Sequence, residues 1–325
     1  MKNWNRLTLL LCCILLITAC EEGEKPAAPE PDGEALHREF SNHIEAMQQS
    51  FSIQAENGGQ FTGSEGTILL FNPNEFLYEN GDPVSGPVDI TFIEIYDKTN
   101  MLLANRPTNG KRPNGDIETL VSGGQFYVNA KQDGKQLKLK KGFTIIAPTE
   151  KTGGVDNDMK QFTGEEACKG DNCTILWEEN EDKGIEAGEW QTTGGVFSAY
   201  FSFQIKFGWT NIDKWINDPR PKTTLFVDLP EGYDNTNCAV FLAYDDEPTA
   251  LAMFDRYDDV TGLFTEHYGL IPVGLEVHFI VVSIVEDEFH YAIQGATISE
   301  NHVEVISELS SITKEELIEL IGDLP

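Results

Sequence analysis

Several groups of side chains in this 325-residue chain have the types and spacing for chemistry. Asp245-Asp246-Glu247 and Asp258-Asp259 are acid pairs of the kind a polysaccharide hydrolase uses, one carboxyl protonating the leaving oxygen and the other acting at the sugar. Charge runs of this sort more commonly form solvated loops. Trp209 and Trp215, within Gly208-Trp209-Thr210-Asn211-Ile212-Asp213-Lys214-Trp215, and Trp190 offer flat faces on which a sugar stacks or a partner protein anchors. Filling the end of a β-sandwich is the other use for the same indoles. Cys168 and Cys173 enclose Lys-Gly-Asp-Asn and can close a short disulfide in an oxidising compartment. As zinc ligands they lack a neighbouring histidine. Asp156-Asn157-Asp158 and Glu178-Glu179-Asn180-Glu181-Asp182 carry the oxygens that Ca2+ prefers, without an EF-hand pattern, and an acidic linker explains the same residues.

Other reactive groups have quieter roles. His43 lies near an apolar helical stripe, His278 sits inside a strand pattern, and Cys238 in Cys-Ala-Val-Phe-Leu reads as a buried thiol. The chain contains no His-Glu-x-x-His, no Gly-x-Ser-x-Gly, no phosphate-cradling Gly-x-x-x-x-Gly-Lys-Ser/Thr and no dinucleotide Gly-x-Gly-x-x-Gly after a strand. The expectation is a chain that is not an enzyme and takes no cofactor, Ca2+ being the one ion its acids suggest. A formal charge of −31 argues against nucleic acid as a partner and against adsorption to anionic headgroups.

The elements that must position these residues follow from periodicity. Leu36, Phe40, Ile44, Met47 and Phe51 recur every three or four positions, which predicts an amphipathic helix over 34–50. From Phe51 the period becomes two. Val88, Ile90 and Phe92 alternate with Asp89 and Thr91, while Asn80-Gly81, Asn109-Gly110, Asn114-Gly115 and Asp133-Gly134 supply turn conformations. The class is therefore all-β: two β-sandwich-like domains in tandem, over 51–148 and 190–306, with short helices at either end. An acidic, glycine-rich segment at 149–189 is expected to connect them. In the second half, strands are expected at 196–207, 223–229, 238–244, 275–285, 289–296 and 303–306. Thr313 and Glu316 form a capping box for a last helix over 312–322.

The amino end sets the location. Lys2 and Arg6 precede an apolar run over 7–17, shorter than the roughly 20 residues that span a bilayer. Leu16-Ile17-Thr18-Ala19-Cys20 then resembles the lipobox of bacterial lipoproteins, with residues 1–19 as signal peptide and Cys20 as the lipidated thiol. Residues 20–33, rich in Glu and Pro, read as a tether able to reach up to about 40 Å. Glu21, Glu22 and Glu24 resemble the acidic export signals of surface lipoproteins in the Bacteroidetes group.

A second resemblance lies further on. Gly58-Gly59, Gly66-Thr67-Ile68, Phe71-Asn72-Pro73-Asn74-Glu75-Phe76 and Gly86-Pro87-Val88-Asp89-Ile90 are similar to the opening strands of ZU-five domains, β-sandwiches that serve protein interaction. Some relatives there cut themselves at histidine-phenylalanine-serine, but His278-Phe279-Ile280 has no nucleophilic oxygen. The stretch around Trp209 looks like segments of uncharacterised Bacteroidetes lipoproteins. The expected function is a structural or protein-interaction component of the outer membrane, held by the lipid on Cys20; a surface-facing position is what the acidic resemblance implies, and a plain solvated tether explains the same acids. Glycan binding through Trp209, Trp215 or Trp190 is the alternative, and polysaccharide hydrolysis the third.

Overall fold

The alternating patterns resolve into strands in the computed structural model, which describes residues 30–169, 172–180 and 184–325. The expected signal peptide, Cys20 and most of the expected tether lie outside the described residues, as do Glu181 and Asp182. Asp32 caps helix α1 (Gly33–Ala46), accepting from the Ala35 amide at 2.9 Å. β1 (Gln49–Gln54), β2 (Gly59–Thr62), β3 (Ile68–Phe71), β4 (Phe76–Tyr78) and β5 (Pro87–Ile95) lead to the short α2 (Lys98–Leu103). β6 (Asn109–Lys111), β7 (Ile117–Gln132), β8 (Lys135–Leu139) and β9 (Phe143–Pro148) follow. Next come β10 (Lys160–Lys169), β11 (Asn172–Glu179), β12 (Glu186–Thr192), β13 (Gly195–Gln204) and β14 (Gly208–Trp215). The second half holds β15 (Lys222–Asp228), β16 (Cys238–Tyr244), β17 (Leu251–Met253), β18 (Arg256–Asp258) and β19 (Leu263–Pro272). It ends with β20 (Glu276–Val285), β21 (Glu288–Thr297), β22 (Val303–Val305), β23 (Ser310–Ile312) and α3 (Lys314–Gly322).

The chain is all-β, its strands gathered into sheets that pack in pairs. A large sheet runs β1-β5-β7-β14-β10-β11-β6, with β8 paired to the end of β7 and β4 to β8, and its partner sheet runs β12-β13-β9-β3-β2. Between them lies an aromatic core that includes Phe71, Phe92, Phe126 and Phe143. The second pair has an inner sheet β17-β16-β20-β21-β23 and an outer sheet β18-β19-β15-β22, around Leu225, Val240 and Phe279. A third core joins the pairs: Phe162 and Trp177 of the large sheet meet Phe241 and Ile280 of the inner sheet, with Leu36 of α1 and Leu317 of α3. β16 shows why its sequence is apolar throughout. Cys238, Val240, Leu242 and Tyr244 enter one core, and Ala239, Phe241 and Ala243 enter the other.

Some sequence expectations hold and others give way. β16 spans 238–244, the capping box at Thr313 forms, and Gly81, Gly115 and Gly134 take positive φ at their turns. The segment 149–189, by contrast, is no connector. β10 pairs with β14 and β11 with β6, and Phe162, Ile175 and Trp177 are the buried anchors that make strands of an acidic stretch. Nor does a boundary fall near residue 190. β13 pairs with β9 from Ala199↔Pro148 to Gln204↔Phe143, and β14 lies between β7 and β10, so the first pair of sheets continues to Trp215. Asn109-Gly110 belongs to β6, where a Cβ on the glycine would stand 2.8 Å from Leu120 and Trp215 side-chain atoms. The first helix stops at Ala46, and Phe51 belongs to β1, packed on the first core.

Candidate functional site

Where the two pairs of sheets meet, the join leaves a cleft of about 440 Å³. One wall is β11 with Phe40 of α1; the other is β16 to β19, where Val240, Met253, Phe254 and Phe264 are apolar and Tyr257 and Tyr268 add phenols. Side chains that imitate backbone fix the spacing of the walls. Asn109 Nδ2 donates to the Met253 carbonyl at 3.0 Å and its Oδ1 accepts the Met253 amide at 2.8 Å, as a paired strand would. Thr108 does the same for Leu251, whose amide donates to Thr108 Oγ1 at 3.0 Å and whose carbonyl accepts the Thr108 amide at 2.8 Å. Since β6 pairs with β11 only at Trp177 and Glu178, residues 174–176 of β11 present a strand edge to the cleft.

A second chamber of about 270 Å³ adjoins the first, sharing His37 and Phe40 with it and lined by Arg106. The Arg106 side chain is 3% exposed and donates to Glu166 Oε1 at 2.5 Å and to the Cys173 carbonyl at 3.2 Å, with its guanidinium 5.0 Å from the Trp209 ring. Burial lowers its pKa and the Glu166 charge raises it. Arg106 Nε, itself buried, has no hydrogen-bond partner among the described residues.

Beneath the larger cleft lies Glu266, on a bulge where the register of β15 with β19 slips between Thr223 and Leu225. Its carboxyl accepts the amides of Tyr268 at 3.0 Å and Gly269 at 3.1 Å. Burial nevertheless raises its pKa to about 7, outweighing those amides, and the Asp255 charge pushes the same way. Burial also pushes the Cys238 thiol up, which keeps it un-ionised and unreactive at the cleft wall.

The residues singled out from sequence do not assemble into one site. Trp209 and Trp215 are 6% and 5% exposed on β14, not in a loop, and their rings are taken up by Tyr127, Trp177, Phe162 and the Arg112 guanidinium. A buried indole has no face to give a sugar. Trp190 is half-buried on the partner sheet, against Phe201. Asp245 bonds His278 Nδ1 at 2.7 Å, and Asp258 closes its own turn by accepting from the Val260 amide and Thr261 Oγ1. Asp156 is paired with Lys214 at 2.8 Å, and no three of His, Cys, Asp and Glu gather at a metal-binding distance among the described residues. His43 bonds Asn100 at 2.8 Å. Cys168 and Cys173 are register partners across the β10–β11 hairpin. Sequence reasoning missed Arg106, Asn109, Met253, Tyr257, Glu266 and Tyr268, since only the fold brings these distant segments together. Their signal is faint; the doublet Thr108-Asn109 at the start of the three-residue β6 is the nearest to one.

No family model matches this chain, and no curated protein matches it. Among solved structures it is similar to the gamma-CGTase of alkalophilic Bacillus clarkii at 10% identity, with a TM-score of 0.20, over 77% of this chain and 41% of that one. The chain thus spans less than half of that protein, and a likeness at this score says nothing of its activity.

Proposed function

We propose that this chain is a lipid-anchored protein of the outer membrane that acts by binding: Cys20 carries the lipid, and the cleft between the sheet pairs receives an extended, apolar segment of another envelope protein. The observation that carries the reading is the apolar cleft itself, which ends on the strand edge of β11. An extended segment gains affinity from strand-edge hydrogen bonds and specificity from side chains seated in the cavity. A disulfide between Cys168 and Cys173 would stiffen that edge. Their cross-strand register supports it, as does Cys238 being the free thiol among the described cysteines. No helix among the described residues is long and apolar enough to cross a bilayer, and lipid on Cys20 serves as the anchor in this reading.

The anchor is tested by Cys20→Ser, which is expected to move the protein from the membrane to the soluble fraction; retention in the membrane would remove the lipid from the account. The cleft is tested with a photo-crosslinking residue at Leu176, on the wall, and at Asp133, in a distant turn. In intact cells Leu176 is expected to capture one apolar peptide of an envelope protein. The same peptide, synthesised, should bind the purified chain and bind Leu176→Glu at least tenfold more weakly. Equal capture from both positions would sink the reading.

Glycan binding keeps one observation in its favour. On the partner sheet Trp190 meets Phe201, and two positions further along β13 Phe203 is 39% exposed, with Ile205, just past the strand, 54% exposed: apolar surface on which sugars could stack.

A further inference from the structure

A polar atom buried without a partner is costly, so native chains keep few of them. Three oxygens on β7 and β14 are in that condition: Gln125 Oε1, Asn211 Oδ1 and Asp213 Oδ1, all on side chains with 0% exposure. They are neighbours by register, Gln125 opposite Asn211 and Ser122 opposite Asp213, with an irregularity between the two pairs. The amide orientations are fixed by their other ends. Asn211 Nδ2 donates to Asp213 Oδ2 at 2.5 Å, and Gln125 Nε2 donates to the Arg106 carbonyl at 3.1 Å. Turning either amide over would set oxygen against oxygen. What remains is three buried oxygens with no hydrogen-bond partner at those atoms among the described residues.

The carboxyl among them is also uncompensated. The groups that reach the Asp213 carboxyl are the Ser122 hydroxyl, the Gly123 amide and the Asn211 amide, none of them charged. A proton on Asp213 would satisfy one amide oxygen and leave the other. A water would donate twice and leave the charge. A cation satisfies all three oxygens and supplies the missing charge.

We propose that Asp213 Oδ1, Asn211 Oδ1 and Gln125 Oε1 hold a hard metal cation in the seam between β7 and β14, with Ser122 Oγ beside it. Carboxylate and amide oxygens select Ca2+ or Na+ and offer nothing to a soft metal. Mg2+, which gives up its waters reluctantly, is a poor occupant of a seam closed to solvent. The site is independent of the cleft. It pins β14, the strand that joins β7 to β10 and carries Trp209 and Trp215.

The test uses the full chain, stripped with chelator and melted in choline chloride, NaCl, CaCl2 and MgCl2 at equal ionic strength. A Tm rise of at least about 3 °C in calcium or in sodium is expected, with none in magnesium. A response to calcium identifies a divalent site and one to sodium alone a monovalent site, and either supports the proposal. Native mass spectrometry should show one bound ion per chain. Asp213→Asn should lose both the shift and the ion while folding without metal at least as stably. If that variant does not fold, Gln125→Met should bind at least tenfold more weakly. A shift that survives in the variant assigns it to exposed acids and overturns the proposal, as would the absence of both shift and bound ion in the unaltered chain.

Discussion

Trp177→Ala is expected to lower the folding free energy by about 3–5 kcal/mol, the range for emptying the volume of a large aromatic from a close-packed core. Trp177 is 0% exposed in the core that joins the two pairs of sheets. Its indole lies over Gly164, its cross-strand partner, where a Cβ would come within 2.6 Å of the ring, and it meets Trp209 edge-on at 6.4 Å. Nε1 donates to the Pro107 carbonyl at 2.8 Å, so the substitution also strands a buried acceptor. Trp177→Phe separates the two effects, because it keeps most of the ring and loses only the hydrogen bond. Urea unfolding of the three proteins measures the difference. A loss below about 1 kcal/mol for the alanine variant would mean that the two pairs of sheets do not rest on this core.

The second large effect depends on pH. An exposed glutamate releases its proton near 4.5, whereas Glu266 in the fold holds it to about 7. Between those values the folded chain keeps a proton that the unfolded chain has lost. Stability therefore falls as pH rises from about 4.5 to 7, and above 7 the ionised, buried carboxylate costs about 3 kcal/mol. Glu266→Gln removes that titration. The variant should be more stable than the parent by up to about 3 kcal/mol at pH 8 and differ little near pH 4.5, read from paired urea curves. A difference between the two proteins that does not change with pH would show that the carboxyl titrates normally.

What the sequence revealed depended on whether a residue's neighbours were near it in the chain. Helix α3 was legible because Thr313, Glu316 and the stripe Leu317–Ile321 are local, and the bonds between Thr313 and Glu316 form as expected. β16 was legible because a strand apolar on both faces has no polar alternative. β14 was not. Thr210, Asn211 and Asp213 are polar and read as loop, yet they are buried, because their partners come from β7 more than eighty positions earlier. β10 and β11 were hidden in the same way, since Phe162 and Trp177 stand among glycines and acids, and only pairing with β14 and β6 makes strands of them. The cleft was the least legible part. Asn109 meets Met253 across the join by imitating a strand, a role that nothing in the neighbouring sequence signals.

The docking of α1 determines how the chain bears force. The Asp32 amide donates to the Ile284 carbonyl at 2.7 Å, and Leu36 and Phe40 sit in the joining core, so the chain enters the structure at the inner sheet of its second half. A pull on the residues before Asp32 therefore loads α1 and β20 before it reaches β1. The sheet made from the last third of the chain is thus the backbone footing of α1, while the sandwich that comes first in the sequence meets that helix through side chains. Such a footing exists only once β20 has paired, so until then a pull on α1 meets no braced sheet.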